Sequence, residues 1–400
     1  MGRTYWSNRR RRGVGAAAAL LVVGAATVVT AGNAIAGPNS DPDVVAASVA
    51  PNNGRECTTS RLPVDLEVGT PATPGSDLTL PLGGALGQQE VVVKLCVPEN
   101  NRSTSAVQVL THGITYDHRY WNIADPDDPE GDRYSWEAAA AEAGYATASI
   151  DRIGNGDSTH PPSPAVTIDS NATAMHQVVQ ALRTGEIEGP DGTAPAFGKV
   201  ALVGHSYGSM TSWTTASRYQ DVDALLLTGV SHNIREVQVP TSIEGSMHPA
   251  ILDPRFAGSN LDLGYITPRP GTHRNLYYAP GIDVDPRIIE RDEATKGSVT
   301  QSELMDYPVI FRTRLDVQAP VFIINGSLDG IFCTQGPLDL GAPCDSPESL
   351  VENERQWFGP DVPSIDAYIV DGAGHDLNAF RDAQETFGAS MNWLSGVMPS

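Results

Sequence analysis

From residue 106 onward the chain alternates apolar strand-like runs with helical patterns, and this rhythm constrains the fold more than any other feature. AVQVLTHG (106–113) reads as a buried strand, YSWEAAAAEAG (134–144) as a helix closed by Gly144, and YATASIDR (145–152) as the next strand. NATAMHQVVQALRTG (171–185) carries apolar residues at helical spacing and stops at Gly185; KVALVGHS (199–206), a helix from Tyr207 and DALLLTGV (223–230) continue the series. Upstream, DLTLPL (77–82) and QEVVVKLCV (89–97) also read as strands. Alternation of this kind predicts a mainly parallel sheet covered by helices on both faces. The rhythm fails between Ser231 and Gln318, where Pro, Gly, Tyr and charged residues surround short helical pieces. A connection of that length is too long for an ordinary loop and predicts a cap inserted over one sheet edge at 231–318. Alternation resumes with APVFIINGS (319–327), an acidic helical stretch from Ser346 to Trp357, DAYIVDGAG (366–374) and a last helix from Leu377 to Leu394.

Inside this rhythm lies KVALVGHSYGSM (199–210): the strand VALV, then Gly204-His205-Ser206-Tyr207-Gly208, then a helix. A serine at such a corner sits in a strained backbone conformation, so the residues two places away on each side must be small. Gly204 and Gly208 meet that need. The new helix aims its N–H groups and positive dipole end at the serine, where an oxyanion would develop. A glycine-rich turn that binds nothing, or a phosphate, could carry the same letters, so the partners of the serine decide.

A serine hydroxyl needs a base, and the base needs an orienting carboxylate. VFIINGSLDG (321–330) ends a strand in a loop bearing Asp329, and AYIVDGAGHD (367–376) ends the last strand in a loop bearing His375. Both loops leave the carboxyl ends of their strands, the edge at which open α/β sheets bind ligands. Ser206, Asp329 and His375 are therefore the expected nucleophile, acid and base, in an order known for such sheets. Other histidines compete: His112, His118 and His160 on earlier strand-end loops, His176 within a helix, and His232, His248 and His273 at or in the cap, where they can line a pocket. Asp371 and Asp376 flank His375, but immediate neighbours in an extended loop point away from it, which favours Asp329. A second oxyanion donor besides the Tyr207 amide is expected in VLTHGITYDHRYW (109–121). There the Ile114 amide is the expected donor, Thr115 is the alternative one place on, and Gly113 lets the backbone come close to a substrate.

Residues 1–36 read as an export signal. Arg9 to Arg12 form a basic region, Val14 to Thr30 an apolar stretch, and Ala34-Ile35-Ala36 a cleavage site. The stretch is short for a membrane anchor, the alternative reading. Its removal predicts a secreted protein with no stable membrane anchoring, exported by the general or the twin-arginine route. A loose leader rich in Pro, Asn, Asp and Ser is expected over 37–60, and one catalytic domain over 61–400. Without the five signal arginines, 21 basic face 48 acidic residues, a net of −27 that repels nucleic acid and anionic membranes. Cys57, Cys96, Cys333 and Cys344 all remain, and an even count in an exported chain predicts disulfides. Three connectivities are possible; spacing suggests Cys57–Cys96 and Cys333–Cys344, the second pinning the Asp329 loop. Zinc-type spacing is lacking, and Asp125, Asp127, Asp128, Glu130 and Asp132 do not follow a calcium-loop pattern, so they read as a solvated acidic loop.

With THGIT, DRIGNGDS (151–158), GHSYGS, NGSLDG and DGAGHD in this order, the chain resembles the α/β-hydrolase superfamily over roughly residues 88–398. The resemblance implies the α/β-hydrolase fold: an eight-stranded, mainly parallel sheet flanked by helices, an inserted cap, and Ser206, Asp329 and His375 as a triad. No metal or organic cofactor is required for that chemistry, and DRIGNGDS is expected to be structural. The oxyanion loop is neither the His-Gly-Gly-Gly form of one lipase group nor the His-Gly-Gly-Pro-Gly form of the proline-releasing peptidases. The expected activity is hydrolysis of a small-molecule carboxylic ester, or lactone, through an acyl-enzyme. A peptidase or amidase on the same triad, a polyester depolymerase, and a non-catalytic binding protein that keeps the fold are the alternatives. Phe256, Leu263, Tyr265, Tyr277 and Tyr278 suggest an apolar, partly aromatic pocket, or equally the cap's own small core.

Overall fold

The computed structural model describes residues 49–400 apart from 67, 70–78, 81–87, 194, 236–244, 273–276, 279–281 and 337–338. The expected export signal, residues 37–48 of the expected leader and His273 lie outside the described residues. One eight-stranded sheet is built from β1 (Arg55–Val64), β2 (Gln89–Pro98), β3 (Ala106–Thr111), β4 (Ala146–Ile150), β5 (Lys199–His205), β6 (Ala224–Thr228), β7 (Val321–Gly326) and β8 (Ile365–Val370). Their spatial order is β1-β2-β4-β3-β5-β6-β7-β8. β2 runs antiparallel to β1 and β4, and every later pair is parallel. Each residue of β3, β4, β6 and β7 is buried, as a strand covered on both faces requires.

The helices begin and end where local chemistry dictates. In α1 (Trp136–Glu142) the Ser135 side chain accepts the Ala138 N–H, and Gly144 beyond its end has a positive φ of 85°. In α2 (Ile168–Thr184) Thr167 and Ser170 form a reciprocal capping box, and Gly185 closes the helix in the left-handed conformation. α3 (Tyr207–Tyr219) follows β5 without an intervening loop; α4 (Pro286–Thr295) lies in the inserted segment, and α5 (Pro347–Arg355) and α6 (Ala383–Val397) cover the later strands. No helix among the described residues is long and apolar enough to cross a membrane.

Two expectations need correction. The leader cannot run to residue 60, because Arg55–Val64 is β1, paired along its whole length with β2. Its alternate exposed, polar positions hid a strand whose other face packs inward. Cys57 stands directly opposite Cys96 in that ladder, and a disulfide joins them. The inserted segment also holds more than helical pieces: Met247–Pro249, Tyr265–Pro268 and Val299–Thr300 make a small antiparallel sheet. Runs of two to four residues are too short to register as alternation. Phe256 and Tyr265 are buried inside this unit, Tyr265 donating to the Pro161 carbonyl at 2.6 Å, while Leu263 is 67% exposed. Tyr265 thus ties the cap to the loop after β4, where it also meets the His160 ring at 5.8 Å, and Leu263 lies on the cap surface.

Candidate active site

β5 ends at His205 and α3 begins at Tyr207, so Ser206 alone makes the corner, with φ 53° and ψ −120°. A non-glycine residue in that region costs of order 1–3 kcal/mol and is held there by its surroundings. Here the surroundings are steric. A Cβ on Gly204 would sit 2.4 Å from Ser209 Cα, and one on Gly208 would sit 2.0 Å from the Thr111 carbonyl oxygen. The two glycines let β5, α3 and the end of β3 close around the serine, as the sequence pattern required. Gly113 completes the cluster, since a Cβ there would lie 3.1 Å from Ser206 Cβ.

His375 Nδ1 meets Asp329 Oδ2 at 2.9 Å, and both side chains are buried. Asp329 Oδ1 accepts the Ile331 and Phe332 amides at 2.8 and 3.2 Å, so the carboxylate is fixed at both oxygens. Burial alone would raise the Asp329 pKa; the facing His375 and the two amides outweigh it and hold it below its ordinary value. For His375 burial would favour the neutral ring, but Asp329 and, next, Asp376 outweigh it and raise its pKa. In the neutral ring, with Nδ1–H donating to Asp329, the other nitrogen is the unprotonated one. That Nε2 is buried and has no hydrogen bond among the described residues. A disulfide between Cys333 and Cys344 closes the loop that follows Asp329, and the Cys333 amide donates to the Asp329 carbonyl at 3.1 Å.

Of the competing histidines, His118, His176, His232 and His248 are engaged elsewhere, and His160 meets the Tyr265 ring at 5.8 Å. His118 Nδ1 meets Asp151 Oδ1 at 2.8 Å, and His176 Nδ1 meets Asp221 Oδ2 at 2.7 Å. His232 is bonded to Glu354 and stacked between Trp213 and Trp357, and His248 meets Asp253. Of the carboxylates flanking His375, Asp371 is exposed beside Ser327, and Asp376 turns inward to His205. Within the expected pocket set, Tyr277 alone stacks on His375, with ring centroids 5.8 Å apart, and Tyr278 donates to Asp292.

The loop after β3 is held from below by residues given no active-site role in the sequence. His112 Nε2 accepts the Arg152 amide at 3.1 Å, which leaves Nδ1–H to donate to the Gly113 carbonyl at 2.8 Å. The Arg152 guanidinium donates to the His112 and Gly113 carbonyls and pairs with Glu303 at 2.5 Å. Burial, then the Arg152 charge, lowers the His112 pKa to about 3, so its tautomer is fixed and uncharged. Thr115, at φ 61°, meets Tyr277 OH through its hydroxyl. The Asp-Arg pair directly after β4 was the available signal for this brace, because β4 and β3 are sheet neighbours. Of three groups among the described residues whose spacing could hold a metal, two are engaged internally: Cys57 and Cys96 form a disulfide beside Glu137, and His118 bonds Asp151 while Asp117 pairs with Arg119; the third is His205, His375 and Asp376. The acidic run is not simply solvated, since Asp125 is buried and pairs with Arg133, and Asp127 pairs with Arg287.

A family model described as "Alpha/beta hydrolase family" matches residues 108–389. The chain belongs to the alpha/beta hydrolase family. Among curated protein sequences no match was found. Solved structures similar to this member include a soluble variant of monoglyceride lipase from Saccharomyces cerevisiae in complex with a substrate analog, 14% identical with a TM-score of 0.50. The match covers 83% of this chain and 96% of that one. A carboxylesterase from Bacillus subtilis is 14% identical with a TM-score of 0.49, covering 85% and 92% of the two chains. An epoxide hydrolase from an endophytic Streptomyces is 18% identical with a TM-score of 0.45, covering 86% and 97%. At such identities the likeness is one of fold, and the chemistry of this alpha/beta hydrolase has to be argued from its own residues.

Proposed function

We propose that the protein is an exported serine hydrolase that cleaves small carboxylic esters or lactones through Ser206, His375 and Asp329. The observation that carries the reading is His375, bonded at Nδ1 to a doubly anchored Asp329, unbonded at Nε2 among the described residues, and 4.8 Å from the ring of His205, the residue before a serine strained into an elbow. Export is supported by the N-terminal pattern and is in keeping with the two disulfides.

In the proposed cycle Ser206 Oγ attacks the ester carbonyl carbon as its proton passes to His375 Nε2. The carbonyl oxygen becomes an oxyanion facing the Ile114 and Tyr207 amides; the latter is the first helical residue and has no intrahelical acceptor. Asp329 stabilises the imidazolium. His375 returns the proton to the departing alkoxide, leaving an acyl-serine. A water then gives its proton to His375, attacks the acyl carbon, and releases the acid with Ser206 restored. Each amide donor is expected to be worth about 3 kcal/mol in the transition state.

The test is fluorophosphonate labelling of the purified protein beside Ser206→Ala, followed by p-nitrophenyl esters of rising chain length. Labelling confined to the wild type, with turnover at least about a thousandfold lower in the variant, is expected. Absence of labelling would remove the catalytic reading and favour a binding protein. Labelling with amide but not ester turnover would move the assignment to an amidase.

A further inference from the structure

His375 does not stand alone on its buried side. The ring of His205, the residue before the elbow serine, lies 4.8 Å from it at 45°, and the opposite side of His205 stacks on Tyr120 at 4.5 Å. His205 Nε2 meets Asp376 Oδ1 at 3.1 Å, and its Nδ1 meets Thr228 Oγ1 at 3.2 Å. Tyr116 OH donates to Asp376 Oδ2 at 2.6 Å. Nitrogens of both histidines and an Asp376 oxygen lie within 4.8 Å of one another. Gly229, at φ 58°, makes the juxtaposition possible: a Cβ there would stand 2.9 Å from His205 Cε1 and 3.2 Å from His375 Cε1.

We propose that Asp376 is a positioning residue for the reaction, its charge steadying the His375 imidazolium in addition to that of Asp329 while His205 keeps the two groups in place. This rests on Ser206, Asp329 and His375 acting as a triad. The Asp376 charge has no cation among its described partners to cancel it. The described partners of the Asp376 carboxylate are a histidine and a phenol. Burial, opposed by the Asp376 hydrogen bond and reinforced by the neighbouring His375, holds the His205 pKa below its ordinary value, so the ring at Asp376 Oδ1 favours its uncharged form. Against burial, the hydrogen bonds from His205 and Tyr116 and the nearby His375 keep the Asp376 pKa below its ordinary value. The groups facing this cluster from the surrounding elements are Asp329 after β7, Tyr116 and Tyr120 after β3, and Tyr277, Tyr278 and Asp292 from the cap, none of them a cation. When Ser206 gives up its proton, the cation that forms within reach of Asp376 is His375.

The experiment follows His375 by the pH dependence of its Cε1–H resonance and of kcat/KM, in the wild type, in Asp376→Asn and in Asp371→Asn as an exposed charge control. The asparagine keeps the shape and the acceptor for Tyr116. In Asp376→Asn the His375 midpoint and the acid limb of kcat/KM are expected about one unit lower, with kcat down by up to about tenfold and KM unchanged. Asp371→Asn should leave all of these in place. A lower kcat with an unmoved midpoint would mean a merely structural role and would overturn the proposal, as would no change at all. Should Asp376→Asn fail to fold, the wild-type titration still decides. His375 is expected to titrate above the ordinary histidine value and His205 to stay neutral; a His205 that becomes cationic near neutrality would cancel Asp376 and overturn the idea. Failure to label Ser206 in the wild type would instead sink the triad reading, which separates the two outcomes.

Discussion

Ser206 and His375 stand on the same sheet edge, yet different physics fixes each. Around Ser206 the constraint is backbone volume: Gly204, Gly208 and Gly113 remove side chains where β3, β5 and α3 converge, and no charged group is needed to hold the corner. Around His375 the constraint is charge: two carboxylates, Asp329 and Asp376, face a buried ring, and burial by itself would favour the opposite protonation state. A steric corner is right or wrong as a whole. A charge-set ring can be moved by degrees, and the movement shows in pH dependence.

Asp329→Asn bears hardest on the charge side. Asparagine keeps an acceptor for the Ile331 and Phe332 amides but presents an NH2 group to His375 Nδ1, which favours the wrong tautomer. The expected loss in kcat on a p-nitrophenyl ester is about 10⁴-fold, with the unfolding midpoint little changed. A loss below tenfold would mean that Asp329 does not orient the base.

Gly208→Ala breaks the steric side. Its new methyl would stand 2.0 Å from the Thr111 carbonyl oxygen and 2.6 Å from that of His112, and neither backbone atom can swing away as a side chain could. A stability loss above about 4 kcal/mol, read from urea denaturation, is expected together with loss of Ser206 labelling. Gly388→Ala is the comparison, because that glycine lies inside α6 with open space around its Cβ position. There the same methyl should stabilise by about 0.5–1 kcal/mol.

This division also explains what could be read from the sequence. The steric half is written in letters at fixed spacing: small residues two places either side of Ser206 can be read without coordinates. Asp329 and His375 were legible because each follows an apolar strand. The brace of Arg152 on His112 and the approach of Asp376 to His205 were not, since each joins loops from different strands and depends on strand order rather than on spacing. Asp376 shows the limit most clearly. Its place next to His375 marked it as facing away, which is so for the Asp329 side of the ring, but facing away carried it into the buried contact with His205. β1 and the small cap sheet escaped for a related reason: polar alternation and two-residue strands become recognisable only once their partners are in place.

Whether charge-setting extends into the cap is decided at Asp306. Asp306 is buried, with Oδ2 accepting the Ile168 amide at 2.8 Å at the start of α2. Burial, helped by the charges of Asp169 and Glu303, raises its pKa from an ordinary 3.8 to about 7. The folded protein therefore keeps a proton that the unfolded chain has already lost, so stability should fall as the pH rises from about 4 to about 7 and then level off. Asp306→Asn keeps an acceptor for Ile168 and cannot ionise. Unfolding free energies from urea denaturation should coincide for variant and wild type near pH 4 and separate by up to about 4 kcal/mol at pH 8, about three pH units at about 1.4 kcal/mol each. A difference independent of pH would mean that Asp306 is ionised throughout. The cap would then be docked by a helix-terminus contact, closer in kind to the steric corner at Ser206 than to the charged bed of His375.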